Sequence, residues 1–292
     1  MCICAAPAQL SNTKLYVGEA EYNNKYVHVL AYQNDAASTN KWEPNAMILP
    51  FPTNVAMGRD NIINSSSYPD FLKNITDASK IQRRTLGDDS LRSFSFGVAA
   101  KGFDVFESGS YTVILADSIK HVPEAMSQVA DDKRIALQYR FVHGFSKLYP
   151  DQPVAVCLWK GSIKPEPLLW WYEPKDKSTL FIPTMDAHDG GAPDLEANVD
   201  TDHIISVGSN LLEESRRYNR VHYTDSLNPT ARQLLPMYVY GTELPGRMKN
   251  GDIFVKTADL RMKGEHLRYP TIKRGLSWDN ENWEDKMFGW HA

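Results

Sequence analysis

Short runs of β-branched, aromatic and aliphatic residues, broken by Asn, Asp, Ser and Pro clusters, recur along this chain and narrow the folds open to it. Residues 2–5, 15–21, 26–33 and 46–51 have this strand composition. Between the second and third runs, Glu21-Tyr-Asn-Asn-Lys25 carries an Asn pair suited to positive φ, so residues 15–33 are expected to form a hairpin. Residues 94–96, 103–107 and 111–116 repeat the pattern, the last two joined across Glu107-Ser-Gly-Ser110. Residues 153–159, 168–172 and 179–183 form a third group, and 204–207, 234–240 and 252–255 follow. Helical spacing is confined to 69–75 and 77–84, a segment capped at Asp117 or Ser118, the stretch 135–148 stopped by Tyr149-Pro150, and 211–218. Strands gathered in runs between isolated helices, without βαβ alternation, predict an α+β fold with a largely antiparallel sheet. The β-rich body is expected over residues 1–190. A less regular extension, 191–292, is expected to pack on it, and the two could form one domain.

Composition excludes several functions. The hydrophobic share of 42% and charged share of 23% suit a packed core. A net charge of -4, with both signs mixed along the chain, lacks the basic stripe that nucleic acid attracts. Lys80, Arg83 and Arg84 read as a solvated helix face. No stretch reaches the ~18 apolar residues that span a bilayer, so no membrane partner is expected. The start, Met-Cys-Ile-Cys-Ala-Ala-Pro, lacks the basic flank and apolar run of a secretory signal. Three cysteines, Cys2, Cys4 and Cys157, make no disulfide framework, and a cytoplasmic setting is expected. The glycine-rich loops of dinucleotide and nucleoside triphosphate sites and the Gly-x-Ser-x-Gly elbow do not occur, so no cofactor is expected.

The sharpest chemical candidate is Cys2. If Met1 is removed, the α-amine of Cys2, with pKa near ~8, can serve as base for its own thiol, and such a nucleophile cleaves amide bonds. Met-Cys leading into a strand and hairpin resembles the start of cysteine-type N-terminal nucleophile hydrolases. That resemblance implies an Arg and an Asp soon after the hairpin. Here the first Arg is Arg59, and Asn34 and Asp35 stand where the acidic partner is expected. The competing reading makes Cys2 and Cys4 small apolar residues on one face of a strand.

A second constellation runs Asp186-Ala-His188-Asp189-Gly-Gly191, followed by Asp194, Asp200, Asp202 and His203. It fits no His-Glu-x-x-His, Cys-x-x-Cys or EF-hand pattern, so it reads as an acidic loop with Asx turns and no metal. His188 is its candidate functional group, since adjacent carboxylates favour the imidazolium. Trp170 and Trp171, adjacent on a strand, must point to opposite faces, which assigns one to the core. Trp278, Trp283, Phe288 and Trp290 form an aromatic arm suited to packing or to a partner.

Val29-Leu-Ala-Tyr32-Gln, Met47-Ile-Leu-Pro50-Phe-Pro52, Gly109-Ser-Tyr111-Thr-Val113 and the strand block from Pro153 to Pro183 resemble an uncharacterised bacterial domain family over residues 2–190. The family has no assigned activity; the likeness implies one contiguous β-rich unit and no catalytic residue. Two functional classes stay open. One is a cysteine amidohydrolase acting on a small amide. The other is a non-catalytic binding or structural protein in a larger assembly.

Overall fold

The structure is a computed structural model, described here for residues 3–80, 102–211, 219–244, 246–261 and 272–275. After β1 (Ile3–Cys4), β2 (Ala8–Tyr22) and β3 (Lys25–Ser38) form a long antiparallel hairpin. Its two-residue turn holds Asn23 and Asn24 at φ 52° and 59°. Two successive left-handed residues match the twist of the flanking strands, and Asn tolerates them because its short amide compensates locally. The predicted hairpin is therefore present, with longer arms than the sequence suggested. A register shift between Ser11 and Lys14, with Asn12 at φ 55°, bends β2.

The chain continues through β4 (Pro44–Pro50), α1 (Phe71–Lys80), β5 (Phe103–Ser108), β6 (Tyr111–Ala116), α2 (Val122–Ala125) and α3 (Tyr139–Leu148). Then come β7 (Val154–Lys160), β8 (Ser162–Ile163), β9 (Leu168–Tyr172), β10 (Thr179–Ile182), β11 (Asn198–Thr201), β12 (Ile204–Ser209) and β13 (Asn219–Arg220). Last are α4 (Pro229–Leu234), β14 (Tyr238–Glu243), β15 (Gly246–Lys249), β16 (Asp252–Lys256), α5 (Thr257–Arg261) and β17 (Ile272–Gly275).

Two large sheets carry the fold. One has five strands in the order β1-β4-β7-β6-β5; the other has seven, built on β13-β14-β12-β2-β3-β8 with β9 also paired to β3. Smaller sheets join β10-β16-β17 and β11-β15. Every pairing between two named strands among the described residues is antiparallel except that of β12 with β2. The fold is α+β and mostly β, as predicted.

The sheets face each other across a core of Leu15, Val17, Leu30 and Tyr32 from one and Met47, Leu49, Val113 and Cys157 from the other, with Trp170 among them. Helices cover both outer faces. Phe71, Leu72 and Ile75 of α1 and Leu234 of α4 pack on Val27, Val29 and Ala31. Phe141 and Phe145 of α3 pack on Val154 and Val156. Burial on both faces explains why β6 and β7 are continuous apolar runs and do not alternate. Each buried ring contributes roughly 1.5–3 kcal/mol to holding a helix on its sheet.

Residues after 190 supply strands to three of the four sheets. β12 lies between β2 and β14, where Gly208 faces Gly18 in register; a Cβ on Gly18 would lie 2.6 Å from the Gly208 carbonyl oxygen, so the close approach requires glycine.

Two local expectations need correction. Within 234–240, Leu234 ends a helix, and the strand begins only at Tyr238. Asn228 caps that helix by accepting from the Thr230 N–H at 2.8 Å, and Pro229 occupies its first turn, so start signals outweigh the apolar run. The helix expected over 135–148 begins at Tyr139, because Ile135 and Leu137 are spaced by two and only Phe141, Phe145 and Leu148 follow a helical period. The expected strand 94–96, the helix beyond Leu211, the second half of 77–84 and the aromatic arm lie outside the described residues.

Candidate functional site

Cys2 lies outside the described residues, but Ile3 beside it is placed. β1 pairs with β4 on one side; on the other, Ile3 bridges Ala187. The Cys4 N–H donates to the Ala187 carbonyl at 2.8 Å, and the Ala8 N–H to the His188 carbonyl at 2.9 Å. These bonds bind the 186–189 loop to the N-terminal segment. His188 Nε2 lies 3.4 Å from Asp186 Oδ1, both partly buried. An imidazole held by a carboxylate is chemically able to accept and return a proton.

The loop is built from behind by β16 and the residues leading into it. Asp252 Oδ1 accepts from the Thr184 and Met185 N–H groups at 2.8 and 2.9 Å, and its Oδ2 from the Tyr149 hydroxyl at 2.6 Å. Asn250 accepts from the Asp186 N–H and donates to the carbonyls of Asp186 and Asp194. Burial, followed by the neighbouring Asp252 charge and its hydrogen bond, raises the Tyr149 hydroxyl well above its ordinary pKa, so it stays the donor.

Asn34 and Asp35 are placed elsewhere, on β3. Asn34 is buried, with its amide nitrogen 3.1 Å from the Tyr32 hydroxyl. Asp35 accepts from Asn12 Nδ2 at 2.8 Å, supporting the β2 bend, and lies 4.0 Å from Lys164 Nζ. No described contact joins either residue to His188. Cys4 and Cys157 are buried and unbridged in strands of the five-stranded sheet. Within the acidic stretch, Asp189 and Asp194 accept from the N–H two residues on, at 2.8 Å each, and Asp202 accepts from the Asn12 N–H at 2.7 Å. The first two are local Asx turns of the kind expected there, whereas the Asp202 bond joins segments far apart in the chain.

A larger feature was not singled out from the sequence. A groove of about 1560 Å³ is bounded by the hairpin tip at Tyr22, Asn23 and Lys25, the segments 53, 55–64 and 102–104, and one side of 117–128. Trp171, Glu173, Asn228 and Thr230 complete its lining. The adjacent tryptophans divide as predicted. Trp170 is fully buried against Phe51, with ring centroids 5.3 Å apart; Trp171 turns to Tyr22 at 5.2 Å and borders the groove.

Trp171 Nε1 donates to the Asp60 carbonyl at 2.8 Å, and Asn61 Nδ2 to the Trp171 carbonyl at 2.9 Å, which fixes the Arg59–Asn61 turn against β9. Lys25 pairs with Glu173 at 2.6 Å and Arg59 with Asp104 at 3.1 Å. Asp60, Asp117 and Glu124 have no ion pair among the described residues, so the lining is acidic in excess. The clue available in the sequence was Trp171; the rest of the groove comes from segments too far apart to associate by inspection.

The fold and groove define a mostly antiparallel α+β protein with a large cleft of mixed polar and apolar lining beside one sheet edge. No family model and no curated protein matches this chain. Among solved structures, it is similar to the crystal structure of baculovirus P35 at 11% identity and a TM-score of 0.45, covering 94% of this chain and 100% of that one. No described helix is long and apolar enough to cross a membrane.

Proposed function

We propose that this chain is a non-catalytic binding protein whose ligand is a polypeptide held in the groove. The supporting observation is the groove's size and lining. Small-molecule pockets run to roughly 300–1,000 Å³ and are mostly apolar. This one, at about 1560 Å³, exceeds that range and is lined by charges, amides and hydroxyls interleaved in about equal share with apolar side chains such as Val55, Met57, Phe103 and Trp171. Its acidic excess disfavours nucleic acid, whose phosphates would be repelled. A cytoplasmic setting accords with the buried cysteines Cys4 and Cys157, which form no disulfide.

The test is selection from a random peptide library against the intact chain, with recovered peptides re-measured by fluorescence anisotropy. Peptides that bind micromolar or tighter, and that lose affinity when Thr53→Trp and Thr230→Trp narrow the groove, support the reading. A library yielding nothing above background, or binders indifferent to both substitutions, overturns it.

A second reading, the cysteine amidohydrolase, is favoured by one observation: Ile3 bridges Ala187, next to the His188–Asp186 pair. Cys2 would attack an amide carbonyl, its own amine or His188 taking the thiol proton and passing it to the leaving amine. Intact mass showing Met1 retained removes the amine-activated form. Labelling of Cys2 near neutral pH that is selective over Cys4 and Cys157, and slowed by His188→Ala, supports the imidazole-assisted form; equal labelling of both proteins removes it.

A further inference from the structure

Among the described residues, the five-stranded sheet ends at β5, whose one strand neighbour there is β6. Gly109 and Ser110 form a two-residue loop between Ser108 and Tyr111, so that flanking pair exchanges both backbone bonds. Bonding alternates from there. Phe106 and Asp104 also face β6, while Phe103, Val105 and Glu107 turn their N–H and C=O groups outward. The Asp117 N–H bond to the Gly102 carbonyl, 3.0 Å, has the parity this requires.

Of the outward groups, one has a described partner. Arg59 Nη2 donates to the Val105 carbonyl at 3.3 Å while its guanidinium lies over the Phe106 ring at 5.2 Å and pairs with Asp104. Arg59 thus covers the middle of an edge that is otherwise open among the described residues, and a charged side chain there is a common guard against strand pairing. The groove begins at the same place, since Gly102, Phe103, Asp104 and Arg59 line it. Asp60, Asp117 and Glu124, carboxylates without an ion pair among the described residues, line that same groove.

We infer that β5 receives an extended, basic segment of a partner protein by strand addition, its backbone bonded to Phe103, Val105 and Glu107 and its cationic side chains facing Asp60, Asp117 and Glu124. Main-chain bonds supply affinity in this mode and alternate side chains supply selectivity. The inference deepens the binding reading above and rests on it.

The probe is a fluorescein-labelled peptide alternating Lys and Thr, measured at low salt against the full chain. It is expected to bind, to weaken as salt rises, and to outbind its Glu-Thr counterpart by at least about tenfold. Methylating alternate backbone nitrogens of the peptide should lower affinity about tenfold. Val105→Pro removes an outward N–H that β6 does not use and should do the same. Asp117→Asn with Glu124→Gln should cost about fivefold at low salt and little at high salt. Arg59→Ala, by uncovering the edge, should strengthen binding about threefold. If Val105→Pro does not fold, the methylated peptide carries the same test.

No binding by the Lys-Thr peptide, weaker binding by Arg59→Ala, or indifference to backbone methylation overturns the inference. Library peptides that bind in the groove without basic side chains or backbone sensitivity would sink it and leave the binding reading standing. Two further outcomes also overturn it. A dimer that Val105→Pro dissolves would make the occupant a second copy. Peptide binding that appears only when residues 81–101 are replaced by a Gly-Ser linker would make the occupant this chain's own segment.

Discussion

Asp252 and His28 are both buried in β-structure, and the protein treats them in opposite ways. Asp252 begins β16 with each carboxylate oxygen bonded, one to two backbone N–H groups and the other to Tyr149. His28 sits within β3, opposite Glu19 and Tyr172, with both ring nitrogens buried and without hydrogen-bond partners among the described residues. The rings of Tyr26 and Tyr172 flank it at 5.6 and 5.8 Å. Burial lowers its pKa to about 3, a shift the nearby Asp176 charge opposes. A saturated polar group ties distant segments together; an unsatisfied one costs stability and leaves its site sensitive to pH.

The largest effect expected from this contrast is at Asp252. Asp252→Ala strands the Tyr149 hydroxyl and two buried N–H groups and should lower unfolding free energy by about 3–5 kcal/mol in urea titrations. A loss under about 1 kcal/mol would mean that water satisfies these donors and that the two sites are less different than their geometry implies.

Next in size is the pH response of His28. Unfolded, its imidazole titrates near 6.5; folded, near 3. The unfolded chain therefore binds the extra proton between those values, and stability falls as pH drops through that window. The slope is about 1.4 kcal/mol per pH unit, or about 2 kcal/mol between pH 6.5 and pH 5. His28→Phe should remove that part of the acid loss while preserving the ring packing. Parallel pH–stability curves for the two proteins would break the contrast.

The smallest effect is the sharpest comparison within one site. Tyr149→Phe removes a single donor from Asp252 and leaves its two backbone bonds, so about 1–2 kcal/mol should be lost. A loss equal to that of Asp252→Ala would assign the whole network to the hydroxyl.

What could be read in advance was local chemistry. Asn23 and Asn24 announce the hairpin because the requirement for positive φ lies in the turn residues themselves. Adjacent Trp170 and Trp171 must diverge because strand side chains alternate, and they do. Runs such as Val154 to Leu158 announce strands covered on both faces, though not which helices cover them. Asn34 and Asp35 held positions in a sequence pattern, and the fold uses Asp35 to brace a bend in β2.

The groove and the Asp252 network belong to another level. Asp252 bonds Thr184 across 68 residues and Tyr149 across 103, and Asn61 bonds Trp171 across 110. Spacing along the chain carries no trace of such pairings. The sequence by itself determined a mostly antiparallel α+β chain with its first hairpin, because backbone dihedrals and strand alternation are set by residues close in sequence. Only the tertiary structure decided that His188 adjoins the N-terminal strand, that β12 inserts beside β2, and that β5 borders an acidic groove. Those neighbours are fixed by how buried surfaces fit together.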